Sequence, residues 1–368
     1  MDTNTDRNRL DELGWGQFFQ QHFEALAIPN TIPARVSSES RGLFQVYSWY
    51  GELDAGVSGR LRYLAGGEGV YPVVGDWVAV QPILSERKAV IQAVLPRKSR
   101  FSRQIAGERS DEQIVSANID SVFIVSGLDG GRSFNLRRLE RYLTLAWNSG
   151  ATPVIVLNKV DLCDDVDGYT GSVEDIAPGI NIHPVSAKNK TGIEALRSYL
   201  TKGSTAAFLG SSGVGKSALI NALLGTQRQQ TGEVRADDRM GRHTTTRREL
   251  ILLPCGGVVI DTPGMREIQL WGDEEDLRGA FRDIETLAGH CRFADCSHQT
   301  ETGCAVRQAI DQGELDPARL DSYHKLQKEL QYLASREDNS TRQYEKQRWK
   351  KVAKWAKELK KRPKQRGC

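Results

Sequence analysis

The stretch "TAAFLGSSGVGKSALINALL", residues 205–224, decides the fold class, because an apolar strand runs through a glycine-rich loop into a helix. Residues 210–217 fit the spacing G-x-x-x-x-G-K-[ST] in full. Gly210, Gly213 and Gly215 allow the backbone to wrap a phosphate with inward-pointing N–H groups, and the helix N-terminus adds its dipole. The flanking strand and helix favour a phosphate loop at the edge of a parallel sheet over a plain glycine-rich turn.

Three residues at the start of this helix are expected to carry phosphate chemistry. Lys216 should reach the β- and γ-phosphates, Ser217 should ligate Mg²⁺, and the Ala218 amide should reach the α-phosphate side. The predicted phosphate-binding residues are Gly210, Ser211, Ser212, Gly213, Val214, Gly215, Lys216, Ser217 and Ala218.

The tetrapeptide "NKVD", residues 158–161, ends an apolar strand about fifty residues before the phosphate loop. Asp161 can accept from the N1–H and the exocyclic amine of guanine, a pattern that adenine does not offer. Asn158 can bond the opposite edge of the base, and the Lys159 stem can lie over its face. The next strand ends in "VSAK", where the Ala187 amide can meet the guanine O6. The predicted base-binding residues are Asn158, Lys159, Val160, Asp161, Ser186, Ala187 and Lys188.

Two further segments follow the phosphate loop, "GRHTTT" at 241–246 and "DTPG" at 261–264. Asp261 is expected to hold Mg²⁺ through its hydration shell, and the Gly264 amide to sense the γ-phosphate. One of three consecutive threonines should close over Mg²⁺ and the γ-phosphate, with Thr245 as the candidate between Thr244 and Thr246.

The order of these motifs is rotated, with base-reading loops first and the phosphate loop and switches after them. A fold tolerates such rotation because its site is assembled in space. We therefore expect a circularly permuted Ras-like P-loop GTPase domain over residues 109–272. Met265 stands where a glutamine would orient the attacking water, so either a partner completes the site or His243 substitutes.

The segments on either side of this domain differ in character. Residues 41–108 contain short alternating runs broken by Gly, Pro and Asp, which predict an antiparallel OB-fold β-barrel behind an N-terminal extension at 1–40. Beyond residue 112, apolar strands alternate with helical segments, as in a parallel sheet with helices on both faces. Residues 273–368 are predicted to form a helical zinc-binding module with a basic tail.

The zinc prediction rests on Cys291, Cys296, His298 and Cys304, three thiols and one imidazole within fourteen residues. A closed Cys₃His set is typical of a structural zinc site with no open position for catalysis. Unpaired thiols, or His290 in place of His298, are the alternatives.

Composition and charge limit the function classes. The longest apolar runs are far shorter than the ~18 residues that a membrane helix needs, so we expect a cytoplasmic protein without membrane attachment. Residues 346–368 carry eleven basic residues and one acid, +10 on a chain whose net charge is +3. This tail and the basic run "RKSRFSR" at 97–103 favour contact with RNA, although a solubilising tail is the plainer interpretation.

The matching stretches "VGDWV", "NKVD", "GSSGVGKS", "GRHTTT", "DTPG" and the Cys/His cluster make the chain resemble the circularly permuted ribosome-biogenesis GTPases, most closely the RsgA (YjeQ-type) family. The resemblance implies a barrel, a permuted GTPase domain and a zinc module, and favours His243 and His298 in the roles above. It also implies hydrolysis of GTP to GDP stimulated by the 30S ribosomal subunit during late maturation, contact with 16S rRNA, one structural Zn²⁺, and Mg²⁺ with GTP.

Two other functions remain open from the residues alone. The missing glutamine is compatible with an RNA-binding assembly chaperone whose nucleotide pocket is mostly structural, and a GTPase acting on tRNA or on a membrane complex is the third reading. A monomer is the default expectation.

Overall fold

The protein is described by a computed structural model over residues 9–40, 42–65, 71–104, 112–130, 133–226, 248–261, 277–278 and 280–331. Several sequence predictions lie outside these described residues. They are His243, Thr244, Thr245, Thr246, Gly264, Met265 and the basic tail at 346–368.

Five strands form a closed barrel near the N-terminus. They are β1 (Ile32–Ser40), β2 (Leu43–Ser48), β3 (Gly51–Val57), β4 (Trp77–Ile83) and β5 (Lys88–Val94). β1 pairs with β2, β2 with β3, β4 with β5 and β4 with β1, all antiparallel, while β3 and β5 are parallel. Alternate side chains fill the interior, with Val36, Val46 and Ile91 completely buried. The predicted barrel is confirmed, but it starts before the predicted boundary at residue 41, since β1 ends at Ser40.

The N-terminal segment packs against the barrel rather than extending from it. Helix α1 (Gln17–Leu26) and the preceding turn place Trp15 and Phe19 against the buried Trp77, with ring centroids 4.7 and 5.7 Å away. A short helix, α2 (Gly59–Ala65), follows β3.

The basic run at 97–103 has a structural role at its start. Arg97 forms two hydrogen bonds with the Asp76 carboxylate, at 2.7 and 2.6 Å, and the side chains are 9% and 0% exposed. The Lys98 ammonium lies over the ring of Phe19, 4.9 Å from its centroid. Arg97 is therefore engaged within the fold, and RNA contact by the basic run stays a prediction.

A parallel sheet follows the barrel. Its strands are β8 (Ser121–Gly127), β9 (Thr152–Asn158), β10 (Ile182–Val185), β11 (Thr205–Leu209), β12 (Arg248–Leu252) and β13 (Val258–Asp261). Their spatial order is β10-β9-β8-β11-β13-β12, and only β12 runs antiparallel to its neighbour β13 within this group. β12 also pairs with β1, so the barrel and the sheet are continuous.

Helices cover both faces of the sheet. They are α3 (Leu136–Ser149), α4 (Val166–Ile176), α5 (Ile193–Arg197) and α6 (Lys216–Leu224). A 3-10 turn at Val160–Leu162 follows β9, and another at Leu84–Glu86 joins β4 to β5 in the barrel. Leu139 and Leu143 of α3 pack in the core on one face, while Leu196 of α5 and Ile220 of α6 pack in the core on the other. This arrangement confirms the predicted α/β sheet.

A hairpin of β6 (Arg100–Gln104) and β7 (Glu112–Ala117) connects the barrel to the sheet, so it crosses the predicted boundary at residue 108. The buried Arg35 guanidinium of β1 joins three parts of the molecule: it donates to the carbonyls of Leu13 and Asn118 and to the Thr205 hydroxyl. The Arg35 side chain therefore reinforces the backbone pairing of β1 with β12 that joins the barrel to the sheet.

The C-terminal module is helical. It contains α7 (Arg282–Ala288), α8 (Ala305–Asp311) and a helical segment at 317–331. Arg319 of this segment is 4% exposed; its guanidinium donates to the carboxylates of Glu140 on α3, at 2.7 Å, and of Asp283 on α7. Among the parts of the chain that the structure describes, no helix has both the length and the apolar character needed to span a membrane.

Candidate nucleotide and metal sites

The predicted nucleotide residues meet at one edge of the parallel sheet. Gly127 is the register partner of Asn158, and Asn158 is the partner of Val185. The neighbouring strand β11 runs into the phosphate loop and pairs in parallel with β13, which ends at Asp261. Segments that lie far apart in sequence, in rotated order, thus end side by side, where open α/β sheets bind nucleotides.

The phosphate loop has the expected strand–loop–helix geometry. The Lys216 ammonium donates to the carbonyls of Gly210 and Ser211 at 2.6 and 2.7 Å, so it lies at the mouth of the loop. Helix α6 begins at Lys216, and its N-cap residue Gly215 has no side chain that could cap the helix. Unsatisfied N–H groups at a helix N-terminus attract a phosphate.

Asn158 links the base-reading loops to the phosphate loop. It is 2% exposed; its Nδ2 donates to the Val214 carbonyl at 2.9 Å, and its Oδ1 accepts from the Ala187 N–H at 3.1 Å. Sequence reasoning assigned Asn158 and the Ala187 amide to the base and did not foresee this contact. An amide has two donors and two lone pairs, so these bonds leave capacity for a base.

Gly215 is required by the same contact. Its φ is +98°, and a Cβ placed there would lie 2.2 Å from the Asn158 Nδ2. A close approach to Asn158 and a left-handed backbone both exclude a larger residue. Glycine at this position therefore serves the packing of two loops as well as the phosphate.

Asp161 is held by its neighbour loop. Its Oδ1 accepts from the Ser186 hydroxyl at 2.6 Å, and Ser186 in turn accepts from the Asn189 N–H at 3.1 Å. Ser186 is 1% exposed, whereas Asp161 is only partly buried at the start of a 3-10 turn. The contact helps to orient the Asp161 carboxylate and leaves lone pairs on its two oxygens for further donors.

Lys159 forms an ion pair that the sequence analysis missed. Its ammonium lies 2.5 Å from Oδ2 of Asp129, which follows β8 in the loop "GLDGG". The only signal in the sequence was an acid two residues after a buried strand, at the edge where the site forms.

The other predicted nucleotide-binding residues that the structure describes follow the same strand ends. Val160 starts the 3-10 turn, Lys188 and Ser212 are exposed, and Ser217 and Ala218 lie in the first turn of α6. The Ser217 hydroxyl and the Asp261 carboxylate are oxygen donors at this edge of the sheet, the ligand type that Mg²⁺ prefers.

The four predicted metal ligands converge. The ligand atoms of Cys291, Cys296, His298 and Cys304 all lie within 4.8 Å of one another. The His298 Nδ1 is 3.6 Å from the Cys291 sulfur and 3.5 Å from the Cys304 sulfur, and those sulfurs are 3.9 Å apart. A tetrahedral zinc with ordinary bond lengths requires ligand separations of about 3.6–3.8 Å. The donor set therefore fits zinc, with His298 rather than His290 in the cluster.

The surroundings act differently on the four ligands, because burial and the neighbouring thiols raise the pKa of Cys296 to about 11. Burial alone would raise the pKa of the Cys291 thiol, but the N–H groups of Ala305 and Val306 lower it below its ordinary value. Burial and the nearby His324 lower the pKa of His298, which favours the neutral ring that binds metals. Cys304 also caps α8, since its sulfur accepts from the Arg307 N–H at 3.5 Å.

Comparison with known proteins finds relatives that cover most of the chain. The family model described as RsgA GTPase matches residues 94–271. The small ribosomal subunit biogenesis GTPase RsgA of Opitutus terrae is 48% identical over 352 residues, covering 93% of this chain and 95% of that protein. The RsgA of Methanosarcina acetivorans is 43% identical over 342 residues, covering 92% and 90%.

Two solved structures are similar in fold to this chain. YjeQ from Thermotoga maritima superposes with a TM-score of 0.63 at 30% identity, covering 82% of this chain and 98% of that one. YloQ, a circularly permuted GTPase, has a TM-score of 0.58 at 23% identity, covering 82% and 96%, which supports the shared fold. The rotated motif order and the fold confirm the predicted circular permutation, and the chain belongs to the RsgA GTPase family.

Proposed function

We propose that this protein hydrolyses GTP to GDP and phosphate and acts in the maturation of the small ribosomal subunit. The observation that carries the proposal is the Asn158 side chain, which joins the NKVD strand, the "VSAK" loop and the phosphate loop into one site. The names of the relatives, small ribosomal subunit biogenesis GTPases, supply the biological setting.

In this proposal the base is read at one end of the site. The Asp161 carboxylate, oriented by Ser186, accepts from the N1–H and amine of guanine. Adenine presents no such pair of donors there, so GTP is selected over ATP. The stem of Lys159 lies over the base face.

The phosphates occupy the other end. The Lys216 ammonium exchanges its two loop carbonyls for the β- and γ-phosphate oxygens, while the N–H groups at the start of α6 hold the phosphates in line. Ser217 and Asp261 would hold Mg²⁺, which when bound neutralises charge on the phosphates. We assign Thr245 and the Gly264 amide to the γ-phosphate and His243 to the attacking water.

The Cys/His cluster is proposed to hold one structural zinc. All four ligands come from the protein, so the cluster has no open position for a substrate. The ion would supply much of the folding energy of the segment around it.

The surfaces proposed to contact partners are assigned from the positive charge of the tail and from the names of the relatives. We propose that the basic tail at 346–368 contacts 16S rRNA through the phosphate backbone, a contact that weakens with salt. A monomer in the cytoplasm suits a factor that acts on ribosomal subunits.

The test is GTP hydrolysis by the purified protein, with and without small ribosomal subunits, with ATP as the substrate control. We expect stimulation by the subunits, confined to GTP and reduced by ~10²-fold or more in Lys216→Ala. If the subunits bind but do not stimulate hydrolysis, the RNA-binding chaperone with a structural nucleotide site replaces this proposal.

A further inference from the structure

The loop that follows β8 occupies a central place at the nucleotide edge. β8 lies between β9, which carries NKVD, and β11, which runs into the phosphate loop. A side chain just beyond β8 is therefore adjacent to both halves of the site. Asp129 is that residue, two positions after the end of the strand.

Asp129 contacts Lys159 directly. The Lys159 ammonium lies 2.5 Å from Asp129 Oδ2, and the Ser133 hydroxyl donates to the same oxygen at 3.2 Å. The two charged side chains are 24% and 21% exposed, so the pair is shielded from much of the solvent. Lys159 itself has a φ of +68°, a conformation that long side chains seldom adopt.

We propose that Asp129 is a positioning residue for guanine-nucleotide binding: by holding the Lys159 ammonium, it keeps the Lys159 stem in the orientation that receives the base. This inference rests on the proposed function, because it assumes that Lys159 lies against the base.

The ion pair would act by preorganising the Lys159 side chain before the nucleotide binds. A lysine has four rotatable carbon–carbon bonds, and a binding site in which it is unrestrained must order them when the ligand enters. The Asp129 carboxylate does this before the nucleotide arrives, since the ion pair fixes the far end of the chain while the left-handed backbone fixes the near end.

This role makes a specific kinetic prediction. The base face is contacted equally in the ground state and in the transition state, so the contribution is uniform binding. Loss of the Asp129 carboxylate should lower the affinities for GTP and for GDP by the same factor and leave kcat unchanged. A residue that acted on the γ-phosphate would instead separate GTP from GDP.

The experiment is a double-mutant cycle of Asp129→Asn and Lys159→Met, read out as the calorimetric affinity of the full-length protein for GDP and for a non-hydrolysable GTP analogue. Asparagine keeps the shape of the aspartate without its charge, and methionine keeps most of the lysine stem without its ammonium. We expect Asp129→Asn to lower the affinity for both nucleotides about fivefold, which corresponds to about 1 kcal/mol of binding free energy. In the Lys159→Met background the same substitution should have no further effect.

Two matched variants complete the design. Asp129→Glu retains a carboxylate that reaches Lys159, so we expect it to keep most of the wild-type affinity. Asp164→Asn, at an exposed acid beyond the NKVD motif, makes the same change in net charge and should leave the affinity unchanged.

Each outcome decides something. A fivefold loss from Asp129→Asn in both backgrounds would mean that Asp129 does not act through Lys159, and unchanged affinity in the single variant would also overturn the inference. If Lys159→Met fails to fold, a loss in Asp129→Glu equal to that in Asp129→Asn overturns it instead. Failure of the wild-type protein to bind guanine nucleotides would refute the proposed function and not this inference alone.

Discussion

The metal cluster and the nucleotide site are built in opposite ways. The cluster takes its four ligands from fourteen consecutive residues, and little apolar side chain surrounds them in the sequence. The nucleotide site collects residues from five strand ends spread between Gly127 and Asp261, on a sheet with an apolar core on each face. A local site depends on its ion for folding, whereas a distributed site depends on its scaffold and exists before its ligand binds.

The largest effect should come from the local site. Cys304→Ser keeps a helix-capping side chain of similar size but removes a thiolate ligand. Because a structural zinc contributes on the order of 10 kcal/mol to such a segment, we expect the zinc to be lost and residues around 291–304 to become sensitive to protease. Elemental analysis and limited proteolysis measure both.

The exposed Cys255 offers the matched control, since Cys255→Ser removes a thiol outside the cluster. GDP affinity should remain within about twofold of wild type in both variants if the sheet alone builds the nucleotide site. Stoichiometric zinc in Cys304→Ser would contradict the Cys₃His assignment, and joint loss of zinc and GDP binding would remove the contrast between the sites.

A smaller effect is expected where the C-terminal module packs against α3, at the ion pairs of Arg319. Arg319→Met leaves the Glu140 and Asp283 carboxylates without the guanidinium that pairs with both, and Glu140 is 2% exposed. Removing one partner of a buried ion pair costs about 3 kcal/mol or more. Denaturant unfolding should report this loss, while zinc content and GDP affinity stay unchanged.

The control for Arg319 is Lys88→Met, which removes a pair that is exposed on both sides, so no change in the unfolding midpoint is expected. If Arg319→Met were equally silent, the C-terminal module would not be fixed to α3 in the way that the geometry indicates.

The smallest of these effects tests the distributed site itself. Gly215→Ala adds a Cβ that would meet the Asn158 Nδ2, so the phosphate loop and the base-reading loop must separate. We expect a loss of about 2 kcal/mol in GDP affinity, a strain of the size stored at unfavourable backbone positions. Calorimetric titration measures it.

Gly225→Ala is the matched control at the other end of the same helix. It also has a left-handed backbone, with φ of +73°, but an added Cβ there meets no atom within 4 Å in the described structure. It should cost some helix stability without changing nucleotide affinity. Equal effects at both glycines would show that backbone strain, and not the approach to Asn158, is responsible.

Features whose residues lie close together in the sequence were predicted correctly as motifs or as secondary structure. The phosphate loop, NKVD and the Cys/His set are each contained in a short stretch of sequence. The spacing of residues within each stretch indicated its chemistry. The barrel and the parallel sheet followed from hydrophobic patterning. The start of the barrel was missed because β1 carries a continuous buried run, which lacks the alternation expected of a strand with one exposed face.

What escaped prediction depends on partners far away in sequence. Asn158 meets Val214, Lys159 meets Asp129, Arg97 meets Asp76, and Arg319 meets Glu140, 179 residues away. Residue type indicates that a charge needs a partner, but only the fold selects which one. In the basic run at 97–103, for example, nothing in the sequence indicated that Arg97 pairs with Asp76 within the fold.

The most direct test of the central claim asks whether residues 158–161 and 210–217 act on one nucleotide despite their rotated order. Asp161→Asn replaces an acceptor by a donor, which suits the C2 carbonyl of xanthine and not the amine of guanine. We predict that kcat/KM for GTP falls by about 10²-fold or more while xanthosine triphosphate becomes the better substrate, with Lys216→Ala abolishing both activities. Unchanged preference for GTP in Asp161→Asn would contradict the account, because the base would then be read elsewhere.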